Sequence, residues 1–218
     1  GPAGARAVLR DQRVTLAVLE TARGGIARRG LAVTQADVAV VTNISADHFG
    51  EHGIDNLNDL AELKLTVART VSEHGLLVLN ADDAVLMAAA ERLPHAARAR
   101  QALFAADTDH PALIALRAQG SSTCGASDGR LWLHHANAAH DLGAISDLPL
   151  TFNGAAGYNT MNLAAAALAA VAGLHLPIDA VRATLATFGF DPRANPGRLE
   201  LHSHRGATVL IDYAHNPD

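Results

Sequence analysis

The chain has 218 residues, 49% of them hydrophobic and 18% charged, with a formal net charge of -5 at pH 7. A chain of this length buries roughly 70% of the surface that its unfolded form exposes, so a genuine core is available and a disordered, highly charged polymer is excluded. Only 4% of the residues are aromatic and cations are not in excess; stacking platforms and charges to neutralise phosphates are both lacking, which argues against a nucleic-acid partner.

From the N-terminus, the apolar run Val14 to Glu20 precedes a Gly-Gly pair, and a second run follows from Asp37 to Ile44. Near-continuous apolar segments of this kind predict strands of a parallel sheet covered on both faces. Residues Asp55 to Ser72 change to a helical pattern, with Asp55 as N-cap and Leu57, Leu60, Ala61, Val67, Ala68 and Val71 forming the apolar stripe. A strand from Leu76 to Ala81 and a helix from Asp82 to Arg92 complete an alternating α/β pattern. The middle, Pro94 to Pro149, is weaker: edge strands are expected at Ala102 to Ala105 and Leu131 to His135, with Cys124 on a loop and His134 and His135 at surface strand positions. Tyr158 to Ala172 predicts a buried helix closed by Gly173, and a further helix runs from Ile178 to before Gly189. Phe190 to Arg198 has the prolines of a hinge, and Leu199 to His204 with Ala207 to Tyr213 predicts a hairpin about Arg205-Gly206. The single cysteine cannot close an internal disulfide, the longest apolar run (Leu163 to Ala172) is too short to span a bilayer, and no signal peptide opens the chain. A soluble, cytoplasmic protein without a membrane partner is expected.

Ligands of open α/β sheets sit at the carboxyl ends of the strands. Glu20 ends the first predicted strand, Thr42-Asn43 and Asp47-His48 follow the second, and Asn80 with Asp82-Asp83 follow the third. A carboxylate and an imidazole in one crevice can hold Mg²⁺; strand-end polar residues also serve simply as loop caps. Lys64 is the sole lysine beside 16 arginines and falls on the apolar stripe of its helix. A snorkelling lysine would explain its place, whereas its uniqueness points to chemistry that needs an amine. His48 and His52, with Glu51 between them, could serve a zinc hydrolase, but HExxH is absent. No Gly-rich stretch runs into Gly-Lys-Ser/Thr, so no P-loop is present in these residues.

The stretches VLETARGGIARRGL (Val18 to Leu31), VAVVTNISADHFGEHGIDNLNDLAELK (Val38 to Lys64), VLNADD (Val78 to Asp83), LPLTFNGAAGYNTMNLAAAALAAVAGL (Leu148 to Leu174), PGRLE (Pro196 to Glu200) and IDYAHNPD (Ile211 to Asp218) together resemble the Mur ligase superfamily. ETARGG, in place of Glu-x-Ser-Ser, resembles its cyanophycin branch rather than its peptidoglycan ligases. The resemblance implies an α/β, three-layer, mostly parallel sheet over residues 1–189, a central ATP-binding domain lacking its N-terminal P-loop strand. Residues 190–218 would be the hinge and the first strands of a C-terminal α/β domain, which the chain leaves soon after it begins.

The same resemblance implies ATP and Mg²⁺ as cofactors, Glu20 and His48 as metal ligands, and Lys64 as a carbamylated lysine on the metal. Asn80 would lie near the adenine, and Arg198 and Asp212 would reach the phosphates and ribose. Asn159 and Asn162 match the family's asparagines on the closing helix, where Tyr158 replaces the usual histidine. The implied reaction activates a carboxylate as an acyl phosphate that an amine then displaces. Arginine would be joined to the side chains of an aspartate-rich acceptor, and this chain alone would bind ATP poorly. A non-catalytic Mur-like binding module, a peptidoglycan-precursor ligase and assembly into a homo-oligomer remain open alternatives.

Overall fold

The second and third apolar runs form strands β1 (Ala36–Val41) and β2 (Val71–Asn80), paired in parallel with Val40 opposite Val78 and Val41 opposite Leu79. The computed structural model describes residues 2–45, 49–50, 53–94, 100–191, 193 and 195–213. The chain divides into two compact units, Gly1–Ala102 and Leu103–Asp218.

In the first unit, helices α1 (Pro2–Arg10), α2 (Arg23–Arg29), α3 (Leu57–Lys64) and α4 (Ala84–Ala90) accompany the two strands. Leu77, Val78 and Leu79 are all 0% exposed. Successive strand residues point to opposite faces, so both faces of β2 are covered, as a parallel strand requires. Helix α4 packs on β2, and α3 packs on α2 and α4.

Two expectations fail in this unit. Residues 14–20 form no strand, and Val18 is 91% exposed. Among the described residues no backbone hydrogen bond joins residues 15–20 to β1, and an apolar run becomes a strand only where its N–H and C=O groups find a ladder. The long helix predicted to Ser72 stops early. Asn56, not Asp55, caps α3 by accepting the Asp59 N–H at 3.0 Å; after Lys64 the chain tightens into a 3₁₀ turn, Leu65–Thr70, and enters β2 at Val71. The pairing of Ala36 with Val71 accounts for the change, because the ladder recruits a residue whose local pattern reads as helix. Gly75 makes the close approach possible: a Cβ there would stand 2.7 Å from the Asp37 carbonyl oxygen.

The second unit holds all but the first two residues of strand β3 (Gln101–Asp107), and strands β4 (Thr123–Ser127), β5 (Arg130–His135) and β6 (Ala138–Ala144), with helix α5 (Pro111–Arg117) between β3 and β4. β3 and β4 pair in parallel, while β5 and β6 continue the sheet antiparallel. The supposed edge strands are therefore interior: Ala102 to Ala105 are all buried, and β5 lies between β4 and β6. Cys124 lies on β4, fully buried, and not on a loop. His134 and His135 are half-buried.

Helix α6 (Gly157–Leu168) packs on β4 and β5 and runs into a π turn, Ala169–Gly173; helix α7 (Ile178–Thr187) packs on β6. The left-handed residue that ends the α6 segment is His175, at φ 57°, rather than Gly173. β7 (Glu200–His204) and β8 (Ala207–Ile211) form the predicted hairpin, with Arg205 and Gly206 at positive φ in its turn. Among the described residues no helix is long and apolar enough to cross a membrane.

Candidate functional site

The strand-end residues of the first unit are drawn together by side chains that cap backbone groups. Asp83 caps α4 by accepting the Leu86 N–H at 2.8 Å, and its second oxygen accepts the Ile44 N–H at 2.5 Å. One carboxylate thus ties the loop after β1 to the helix start after β2. Asn80 accepts the Asp82 N–H at 3.0 Å, shaping the turn between them.

Lys64, in the last turn of α3, donates from Nζ to the Asn43 carbonyl at 2.9 Å. It is half-buried, with Leu60, Ala61, Leu65 and Ala68 buried around it in sequence. The structure therefore brings the sole lysine to the carboxyl end of β1. It does not bring Glu20 into the same set of bonds: Glu20 is exposed on the irregular segment 14–20. His48, with Asp47, Glu51 and His52, lies outside the described residues. Among the described residues no three His, Cys, Asp or Glu side chains gather closely enough to hold a metal ion.

The second unit assembles the other predicted residues. The Asp212 carboxylate accepts the Leu199 N–H at 2.8 Å, closing the base of the β7–β8 hairpin. The Arg198 guanidinium lies 5.6 Å from the centre of the Tyr213 ring, a distance at which cation and ring attract. Gly197, at φ 74°, is required beside that ring, since a Cβ there would come within 2.0 Å of Tyr213. Glu200 accepts the Gly197 N–H at 2.5 Å; that bond, with His202 next, holds its carboxyl below the usual carboxylate range.

Tyr158, in the first turn of α6, joins this group electrostatically. Partial burial and then the Asp212 carboxylate push its phenol up, while Arg198 opposes them. Asn159 donates to the Leu150 carbonyl at 2.7 Å and accepts from Asn162 at 3.3 Å, so it fastens α6 to the turn before it. Asn162, engaged once through its amide nitrogen, keeps the greater capacity for a ligand. Sequence reasoning missed Gly197 and Tyr213 as partners of Arg198; their signal was the run PGRLE followed by IDY.

The Mur ligase middle domain family matches residues 5–170. The chain is 38% identical over 217 residues to "Cyanophycin synthetase" of Trichormus variabilis and 35% identical over 217 residues to that of Synechocystis sp., covering 100% of this chain and 24% of each relative. It thus spans about a quarter of the length of these curated relatives. It is also 28% identical over 207 residues to the UDP-N-acetylmuramoyl-L-alanyl-D-glutamate–2,6-diaminopimelate ligase of Chlamydia felis, covering 94% of this chain and 38% of the relative. Among solved structures, MurF from Acinetobacter baumannii matches with a TM-score of 0.57 at 19% identity, over 84% of this chain and 35% of that one, which shows a shared α/β fold. The chain belongs to the Mur ligase middle-domain family.

Proposed function

We propose that this chain is the nucleotide-handling part of an ATP-dependent ligase that joins arginine to the side-chain carboxylates of an aspartate-rich acceptor. The observation that carries the reading is 38% identity across the whole chain to a cyanophycin synthetase, against 28% to a diaminopimelate ligase. A carboxylate is a poor electrophile, and ATP would remedy this. A carboxylate oxygen attacks the γ-phosphorus and ADP leaves. The amine nitrogen then attacks the acyl carbon, inorganic phosphate departs, and the nitrogen gives up one proton as the amide forms. Such a reaction between anions depends chiefly on charge neutralisation and positioning.

On this reading the exposed Arg198 meets phosphate oxygens, Asp212 holds the hairpin base that presents it, and Asn162 supplies a polar contact to the nucleotide. Mg²⁺, when bound, would neutralise phosphate charge. Glu20, His48 and Lys64, the last as a carbamate, are the residues that would hold it. Lys64 is assigned to the reacting end of β1, where its amine meets the Asn43 carbonyl.

Phosphate release from ATP tests the reading. In the intact enzyme, arginine with an aspartate-rich acceptor should support turnover, and nucleotide-linked muramyl peptides should not; turnover on the muramyl substrates alone would move the protein to the peptidoglycan branch, and turnover on neither would favour a binding module. In the intact enzyme Lys64→Arg keeps a donor for the Asn43 carbonyl but cannot form the carbamate, and should lower turnover by about 100-fold or more, a loss typical of a group needed in the transition state. Wild-type turnover in that variant would leave Lys64 a structural tie.

A further inference from the structure

A second polar recess lies in the other unit, at the end of β5. It is a cavity of about 210 Å³ lined by Arg117, Ser121, His134, His135, Asn137 and Ala138. Its walls come from the last turn of α5, the loop that follows, and the β5–β6 turn. Ala136 and Asn137, at φ 50° and 62°, form that two-residue turn, the left-handed pair that a tight hairpin demands. Adjacent strand residues face opposite ways, so the recess wraps round the strand end, with His134 on one side and His135 on the other.

The chemistry of the lining is one-sided. Every lining side chain except Ala138 can donate hydrogen bonds, and none is a carboxylate. Arg117 donates to the Thr108 hydroxyl at 3.0 Å and to the Thr108 carbonyl at 2.9 Å, and Thr108 is buried. Two of its five N–H groups are thereby fixed, which aims the planar fork and leaves three donors. Among the described residues no salt bridge involves Arg117, which is half-buried. His135 shares a 2.8 Å hydrogen bond between Nδ1 and the Ser122 hydroxyl, which fixes its ring. Around the lining, His140 acts on both histidines and His175 on His135, and among the described residues Asp109 is the carboxylate that acts on His134.

We propose that this recess binds a small oxyanion, a carboxylate or phosphate group, with Arg117 as its principal partner and Ser121 and His134 completing the donor set. The volume suits a small ligand: pockets for whole drug-sized ligands or cofactors run from roughly 300 to 1,000 Å³, and a single anionic group is enough to fill this one. A half-buried guanidinium in no salt bridge among the described residues gains most from such a ligand, since charge-assisted bonds are the stronger class. The inference does not depend on the ligase reading.

Titration calorimetry of the protein with inorganic phosphate and, separately, with a short N-acetylated aspartyl peptide tests it, alongside diethyl pyrocarbonate modification of His134 and His135 read by mass spectrometry. Saturable binding of either probe, with His134 protected, supports the site. Phosphate alone would assign a free phosphate as the source, and the peptide alone a side-chain carboxylate. Arg117→Gln should weaken binding by about tenfold or more, the effect of losing a charged hydrogen bond; His134→Asn, which spares the Thr108 tie, serves if that variant does not fold and should weaken binding severalfold. No saturation by either probe up to about 10 mM, a free energy of under ~3 kcal/mol by the usual conversion, would overturn it. So would unchanged binding in whichever of the two variants folds.

Discussion

Residues 14–20 and 76–79 are both predominantly apolar, yet they end in opposite environments. Leu76 to Leu79 lie inside β2 with both faces covered, while Val14, Leu16 and Val18 are exposed on irregular backbone. The β7–β8 hairpin is a third case: its ten residues pair along the whole register from Glu200–Ile211 to His204–Ala207, yet nine are exposed and Glu200 is half-buried. Apolar content provides the driving force for burial, but a ladder partner decides whether a run becomes a strand, and a covering layer decides whether that strand is stable. The second unit's sheet and β2 have both; the hairpin has a ladder alone.

The largest expected effect sharpens this contrast most directly. Leu79→Ala should destabilise the protein by about 3 kcal/mol in urea unfolding, as expected for a fully buried leucine, whereas Val18→Ala should change stability by no more than about 0.5 kcal/mol. Comparable losses at both positions would mean that residues 14–20 are buried in solution. Asp83→Ala comes next, at about 2 kcal/mol, because it removes a helix cap and the bond to Ile44 together. Asp83→Asn, which retains a capping oxygen, should recover about half of that loss.

The hairpin should respond locally. Gly197→Ala cannot keep both the left-handed backbone and the Tyr213 ring in place, a conflict of roughly 1–3 kcal/mol. Amide exchange of β7 and β8 should quicken while β2 stays unchanged, since weakly covered segments open independently of the core. Coupled exchange in the two regions would contradict that separation.

The smallest effect is electrostatic. Burial first, and then neighbouring cations, hold the His134 and His135 imidazoles below the ordinary value of 6.5. Arg117 and His140 are the cations acting on His134, with Asp109 opposing, and His140 and His175 act on His135. The folded state therefore prefers both rings neutral. Between the folded and unfolded values the unfolded chain binds more protons, so this contribution is full above about pH 6.5 and is lost as pH falls through the lowered values. Replacing both histidines with glutamine should flatten the melting temperature between about pH 7 and pH 5; an unchanged slope would assign the pH dependence to other groups.

Legibility from sequence followed the same division. The strands β1 and β2 and the hairpin were readable because hydropathy and turn residues agreed with the fold. The 3₁₀ turn at Leu65–Thr70 was not, because Ala68 and Val71 continue a helical period that only the pairing of Val71 with Ala36 overrides. β4 and β6 were hidden by their small residues, Gly125 and Ala126 or Ala138 and Ala139, which carry little strand signal. At the strand ends, Lys64 stood out by count, and Asp83 by position; the bond from Asp83 to Ile44 spans 39 residues and has no local signature. The Arg117 recess was beyond sequence reasoning for the same reason, since its lining comes from three segments.

Cys124 gives this architecture a built-in reporter. It is the sole cysteine, fully buried on β4, and burial pushes its thiol well above the usual range. A thiol-specific dye cannot react until β4 is uncovered, because only the accessible thiolate is nucleophilic. The dye's incorporation rate in native buffer, divided by its rate in denaturant, gives the fraction of time that the β3–β6 sheet spends open. The unaltered protein can thus report its own sheet opening, with no engineered label.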